Sequence, residues 1–276
     1  MPDGDRRTWD PKTAFDGTAP YYARYRTPYP PETFEALREK FRLTKSSRVL
    51  DLGCGPGNVA LPLANIVGQI YAVDPNEEML AEARRLAAER GIENIVFIPG
   101  ESGDLPALAG RIGPVDLTVM GRSFHWMDRD RTLRDLYGMT VPGGGVALLA
   151  DDANHPHTRT SWRDIMAETT KRWLGEERRV GTTGTYTHPE EHHEIILGRS
   201  AFTETGKTHI EAARTWTVDE IIGYLYSTSS TSVPVLGDKK EAFEADLRER
   251  LLAAEPSGRF AETVTVEVLM AWKPPG

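Results

Sequence analysis

The chain has 276 residues, 39% of them hydrophobic and 27% charged, with a formal net charge of −8. This composition excludes a disordered chain and argues against a general nucleic-acid surface, which carries a basic excess. The single cysteine, Cys54, excludes an intrachain disulfide and makes the cytoplasm the expected compartment, and no window approaches the roughly 20 apolar residues of a membrane span.

Residues 1–19 are polar, broken by glycine and proline, and start without an apolar signal core. Tyr21, Tyr22, Arg24, Tyr25 and Arg26 then crowd into six residues. Two readings stay open for them. The rings pack on the core, or the segment is a lid whose hydroxyl and guanidinium groups face a ligand, arginine being suited to a carboxylate. Phe34, Leu37, Arg38 and Phe41 recur at helical spacing, which predicts a helix over 31–41.

Arg48–Leu52 suits a buried strand. It is followed by Gly53, Gly55 and Gly57 at alternate positions and a helix expected over about 59–67. A second strand is expected over 69–74, ending in Asp74. A strong helix follows over 76–90, with Met79, Leu80, Ala83, Leu86 and Ala87 on one face and Gly91 as its stop. The third strand is expected over 95–98, the fourth over 115–120, a helix over 131–139, and a fifth strand over 146–150 introduced by Gly143–Gly145. Strands alternating with helices indicate a parallel sheet covered by helices on both faces. Beyond it, helices are expected over 161–174, 218–226 and 239–254, polar loops over 175–198, and strands over 208–216 and 263–272.

The strand, glycine turn and helix of 48–67 form the first half of a nucleotide-binding unit. A dinucleotide turn reads G-x-G-x-x-G. Here the sixth position from Gly53 is Asn58 and from Gly55 is Ala60, so the fingerprint fails. Asp51, two residues before the first glycine, repels a pyrophosphate and favours a ligand carrying an ammonium and a sulfonium.

On these residues, with Val73-Asp74 and Met79 and with Pro142-Gly143-Gly144, the sequence resembles the class I S-adenosylmethionine-dependent methyltransferases over about 21–152. The resemblance implies an α/β, Rossmann-like, seven-stranded, mostly parallel sheet with helices on both faces and a helical cap over the acceptor site. It implies a single methyltransferase domain over 1–276: an N-terminal lid (1–40), a cofactor-binding core (41–152), cap elements (153–200 and 217–256) and closing strands (201–216 and 257–276). Asp51 and the turn of Gly53, Cys54, Gly55, Gly57 and Asn58 would hold the amino-acid and ribose part of S-adenosyl-L-methionine. Asp74 would accept the ribose hydroxyls, although it also suits a cap for the helix near Asn76. Pro75 and Met79 would pack on the adenine. Glu101, with Ser102 beside it and Asp104 as rival, would accept the adenine amino group. Cys54 is read as a small turn filler.

After strand four, Ser123-Phe124-His125-Trp126 lies at the carboxyl ends of the strands, where such sheets bind ligands. It resembles the Phe-His-Trp stretch of the trans-aconitate methyltransferase-like subgroup. Ser123 is assigned to the cofactor, and Phe124, His125 and Trp126 to the acceptor together with Tyr21, Tyr22, Tyr25 and Arg26. His125 is the candidate general base for a hydroxyl acceptor, or it packs the loop. Asp151, Asp152, Asn154, His155 and His157 cluster after strand five. Asn154 and His155 are candidates for acceptor contacts, and no metal is expected, because magnesium prefers oxygen ligands. His188, His192 and His193 lack zinc spacing with cysteine. Trp216, Tyr224 and Tyr226 suit a cap core or an acceptor wall. The expected activity is methyl transfer to an O or N atom of a small metabolite, with no nucleic-acid or membrane partner. A methyltransferase on RNA or protein, or a non-catalytic cofactor-binding module, stands as the alternative.

Overall fold

The computed structural model describes residues 9–151, 160–185 and 191–276. In chain order its helices are α1 (Ala19–Tyr25), α2 (Pro31–Phe41), α3 (Ala60–Leu63), α4 (Glu77–Glu89), α5 (Leu105–Ile112), α6 (Arg129–Met139), α7 (Ser161–Leu174), α8 (His193–Gly198), α9 (Val218–Tyr226), α10 (Val233–Leu236) and α11 (Lys240–Ala254). Its strands are β1 (Arg48–Leu52), β2 (Gln69–Asp74), β3 (Ile95–Pro99), β4 (Val115–Gly121), β5 (Thr140–Asp151), β6 (Arg179–Val180), β7 (Gly184–Thr185), β8 (Glu204–Thr217) and β9 (Arg259–Trp272). No described helix is long and apolar enough to cross a membrane.

The chain forms two compact units. The sheet unit holds residues 28–152, 188–212 and 265–276; the helical unit holds residues 1–27, 153–187 and 213–264. The segment expected as one N-terminal lid is therefore shared between them.

The seven-stranded sheet runs in the order β3-β2-β1-β4-β5-β9-β8. β1, β2, β3, β4 and β5 pair in parallel, and β9 lies antiparallel to β5, with Val146 opposite Ala271. The strand order reverses between β1 and β4. In a parallel sheet that reversal opens a crevice at the carboxyl ends of the two strands, and both Gly53 and Ser123 lie there. Val49, Leu50, Ile70, Val73, Leu117 and Val119 are buried, as expected for strands covered on both faces.

Three expectations are corrected. The helix expected over 59–67 is the four-residue α3. Pro62 brings no N–H to it, and the chain leaves through i→i+3 bonds from Asn65 to Pro62 and from Ile66 to Leu63. β5 does not begin after the glycine run but at Thr140, and passes through it. Its neighbours approach so closely that a Cβ on Gly144 would lie 2.6 Å from the Asp116 carbonyl oxygen, and one on Gly145 2.3 Å from that of Ala271. The polar stretch before Gly198 contains β6, β7 and α8. Helix α8 is too short to show a period, yet Ile196 and Leu197 are buried in the sheet unit's core with Phe202.

The helical unit has its own core, built on Trp162, Trp216, Ile221, Phe243, Leu247 and Leu251. Trp216 and Tyr226 are buried in it, as the core reading expects, with Tyr224 packed at its margin.

Candidate functional site

Gly53, Gly55 and Gly57 all adopt positive φ, at 73°, 53° and 92°. Alternate left-handed residues fold the backbone into a tight turn that side chains other than glycine resist. Gly53 and Cys54 both donate their N–H to the Val73 carbonyl, at 2.8 and 3.0 Å, tying the turn to β2. A Cβ on Gly55 would meet nothing within 4 Å. The turn thus presents bare backbone to open space.

Two acids flank it. Asp51 is fully buried, and its Oδ2 accepts the Ala60 N–H at 2.9 Å. Its Oδ1 has no hydrogen-bond partner among the described residues. Burial raises the Asp51 carboxyl to about 8, against the Ala60 N–H and reinforced by the charge of Asp74. A buried carboxylate oxygen with no donor fits a cationic ligand group. Asp74 accepts the Gly55 N–H at 2.8 Å through Oδ2 and the Asn76 N–H at 2.9 Å through Oδ1. Burial raises it to about 6, opposed by those two donors. The cap of α4 is Asn76, whose side chain accepts the Met79 N–H. Asp74 therefore faces the glycine turn instead of serving as the cap. The donor-free oxygen, the open side of Gly55 and the acid closing β2 all fit S-adenosylmethionine.

The other assigned cofactor residues are placed as follows. Cys54 is buried in the turn and its thiol is pushed up well above its ordinary value by burial, as suits a filler. Asn58 and Pro75 are partly exposed, and Met79 is buried. Asp104 accepts the Glu101 backbone N–H at 2.9 Å and the Glu101 side chain accepts the Asp104 N–H in return, so both candidate acids staple the same turn, with Ser102 buried at its start. Ser123 is buried, with its Oγ donating to the Leu52 carbonyl at 2.7 Å. A Cβ on Gly53 would lie 2.5 Å from the Ser123 Cβ. The segment after β4 is thereby pressed on the turn after β1.

Phe124–Trp126 form one 3₁₀ turn directly after Ser123. Phe124 is buried, while His125 and Trp126 are partly exposed, with ring centres 4.9 Å apart. His193, which the sequence reading leaves in a solvated loop, packs edge-on against Phe124 at 5.1 Å. Arg129 donates to the Glu191 carbonyl at 2.7 Å and lies 3.3 Å from His193 Nδ1. Burial, and then the Arg129 charge, lower His193 to about 4, so this ring is neutral at pH 7 and braces the aromatic turn.

Tyr21, Tyr22, Tyr25 and Arg26 belong to the helical unit. Tyr21 stacks on Tyr25 and meets Tyr226 edge-on. The Arg26 guanidinium lies 4.8 Å from the Tyr22 ring and 5.0 Å from the Tyr224 ring and donates to the Ser227 carbonyl. These contacts fit the packing reading. Asp152, Asn154, His155, His157 and His188 lie outside the described residues. Asp151 pairs with Arg122, a partner that the sequence reading passed over.

Residues 49–144 match the family described as a methyltransferase domain. Over 250 residues, 90% of either chain, the sequence is 26% identical to an uncharacterized methyltransferase of Schizosaccharomyces pombe. Over 137 residues it is 29% identical to the trans-aconitate 2-methyltransferase of Variovorax paradoxus, a match that covers 49% of this chain and 50% of that relative. A candidate type II methyltransferase from Anaeromyxobacter dehalogenans, known as a solved structure, shares the fold with a TM-score of 0.60 at 20% identity, over 91% of this chain and 100% of its own. Residues 49–144 thus carry a methyltransferase-domain match, and the chain is similar in sequence and in fold to methyltransferases.

Proposed function

We propose that the chain methylates an oxygen or nitrogen atom of a small metabolite, such as a natural-product intermediate. The observation that carries this reading is the run of Ser123 into Phe124, His125 and Trp126. Ser123 packs on the cofactor turn, so an aromatic wall follows within three residues of it. When bound, S-adenosylmethionine supplies a methyl group on a positively charged sulfur, open to in-line attack.

The chain's residues then have to align and dry the reacting pair. Asp51 and the Gly53–Gly57 backbone would hold the amino-acid part, Asp74 the ribose hydroxyls, and Pro75, Met79, Glu101 and Ser102 the adenine side. Phe124 and Trp126 would exclude water. His125 would take the proton from a hydroxyl acceptor, whereas a carboxylate acceptor needs no base. The similarity to a trans-aconitate methyltransferase supports an organic acid as one class of acceptor. The net charge of −8 speaks against RNA.

A labelled-methyl transfer assay against metabolite, RNA and protein fractions tests the proposal. Label appearing in the small-molecule fraction supports it, and label confined to RNA or protein overturns it. No transfer to any fraction, with cofactor binding intact, would favour a non-catalytic module. In parallel, Asp74→Ala is expected to weaken cofactor binding about a hundredfold, as the loss of a charged hydrogen-bond acceptor predicts.

A further inference from the structure

The sheet unit holds a second constellation that the cofactor assignment leaves unused. Arg122 follows directly on β4 with φ 56°. Among the described residues the only other non-glycine residue at positive φ is Arg42, which closes helix α2 in the ordinary left-handed way. No helix ends at Arg122. Strain of this kind collects at functional sites and persists only where its surroundings impose it.

Those surroundings are well defined. The Arg122 N–H donates to the Leu149 carbonyl at 2.8 Å. Its guanidinium grips Asp151 with both arms, Nε to Oδ2 at 2.9 Å and Nη2 to Oδ1 at 2.6 Å. The Arg122 side chain is only 9% exposed, and its Cζ lies 4.4 Å from the centre of the Tyr29 ring. Gly121 lets this ring approach, since a Cβ there would lie 2.9 Å from the Tyr29 hydroxyl and 2.8 Å from Val59. The next residue, Ser123, is the one pressed on Gly53 and bonded to Leu52.

We propose that Arg122, locked to Asp151 and stacked on Tyr29, is a positioning residue for the cofactor turn. The ion pair holds the left-handed turn, the turn aims Ser123 at Gly53 and Leu52, and the glycine turn is thereby held in its binding shape. In this proposal Arg122 acts through Ser123 and the glycine turn. Lysine cannot replace it, because an ammonium lacks the two-armed fork. The proposal rests on the assignment of the glycine turn to S-adenosylmethionine.

Calorimetric titration with S-adenosylhomocysteine tests it on the full chain, alongside thermal melts. Arg122→Lys and Asp151→Asn are each expected to bind about tenfold more weakly, and the double variant no more weakly than either single one, because the two act as one unit. Where Asp151→Asn does not fold, Asp151→Glu, which keeps the charge but shifts its reach, is expected to show the same loss to a smaller degree. A staple that merely holds the fold together would lower the melting temperature and leave the affinity of the folded protein unchanged. Variants that bind within twofold of the wild type, or losses that add in the double variant, overturn the proposal. A folded wild-type chain that binds no S-adenosylhomocysteine removes its premise instead, and is told apart by that control.

Discussion

Asp51 and Asp74 bracket the glycine turn, Asp74 accepting the Gly55 N–H within it and Asp51 the Ala60 N–H where α3 begins just beyond it. Both acids are buried, and each is raised, Asp51 to about 8 and Asp74 to about 6. The sign of the consequence follows from proton counts. Between the ordinary value of 3.8 and about 8, the folded chain keeps on Asp51 a proton that the unfolded chain has lost. Stability without ligand therefore falls as pH rises across that window. A cationic cofactor needs the carboxylate, so its binding releases the proton. Affinity for S-adenosylmethionine is expected to rise by up to about tenfold per pH unit between about pH 6 and 8. Calorimetry in buffers of different ionisation enthalpy measures the released proton directly. Asp51→Asn should bind weakly with no such slope, and should melt higher than the wild type at pH 8. A flat profile in the wild type would show that Asp51 is already ionised.

The turn's glycines separate folding from binding. At Gly53 a methyl would lie 2.5 Å from Ser123 Cβ, on a backbone that already resists a side chain. Gly53→Ala is expected to cost more than about 3 kcal/mol and to leave little folded protein. At Gly55 the methyl meets nothing within 4 Å, so only the left-handed penalty of about 1–2 kcal/mol applies. Gly55→Ala should fold, melt a few degrees lower and, on the proposed assignment, lose most of its cofactor affinity, because the methyl fills the open space beside the turn. A Gly55→Ala protein that binds S-adenosylhomocysteine normally would remove Gly55 from the site.

Much of this site is legible in the sequence because it is local. Alternate glycines after an apolar strand announce positive φ, and an acid closing the next strand announces its place beside them. The same local logic predicts helices over 31–41, 161–174 and 218–226, each found at those bounds. What sequence cannot show is pairing across distance. The left-handed Arg122 has no sequence mark, since its conformation is imposed by Asp151, Tyr29 and the strand end. Likewise His193 acquires its meaning only when α8 carries it against Phe124. The cap of α4 was misassignable for a smaller reason: Asp74 and Asn76 both suit a cap, and only geometry shows which side chain reaches the Met79 N–H.

In the helical unit, Gly223 sets the approach of α1 to α9. A Cβ there would lie 2.4–2.6 Å from three atoms of the Tyr25 ring. Alanine is the better helix former by about 1 kcal/mol, but an overpacked contact costs about 1–3 kcal/mol. The clash is expected to win, so Gly223→Ala should lower the denaturation midpoint. Pairing it with Tyr25→Ala should recover part of the helix-propensity gain, measured by denaturant unfolding of the double variant against Tyr25→Ala alone.

Glu262, in the helical unit, tests a buried charge against two donors of unequal exposure. Its carboxylate is fully shielded and is shared between the Trp216 indole N–H at 2.5 Å and Arg163 Nε at 2.6 Å. Trp216 is itself fully buried, so its N–H has no water to turn to when the acceptor is removed. Arg163 is 28% exposed in its side chain and can partly rehydrate. The two partners should therefore respond unequally. Glu262→Ala leaves an unpaired indole donor and a cavity and takes the carboxylate away from Arg163, and is expected to cost about 3–5 kcal/mol. Glu262→Gln keeps the volume and an acceptor for Trp216 but loses the charge facing Arg163, and is expected to cost about 1–2 kcal/mol. Arg163→Met, which leaves the carboxylate buried with a single donor, should fall between the two. Denaturant unfolding of the three variants gives the ranking, and a Glu262→Gln variant as unstable as Glu262→Ala would show that the ion pair with Arg163, and not the indole bond, dominates.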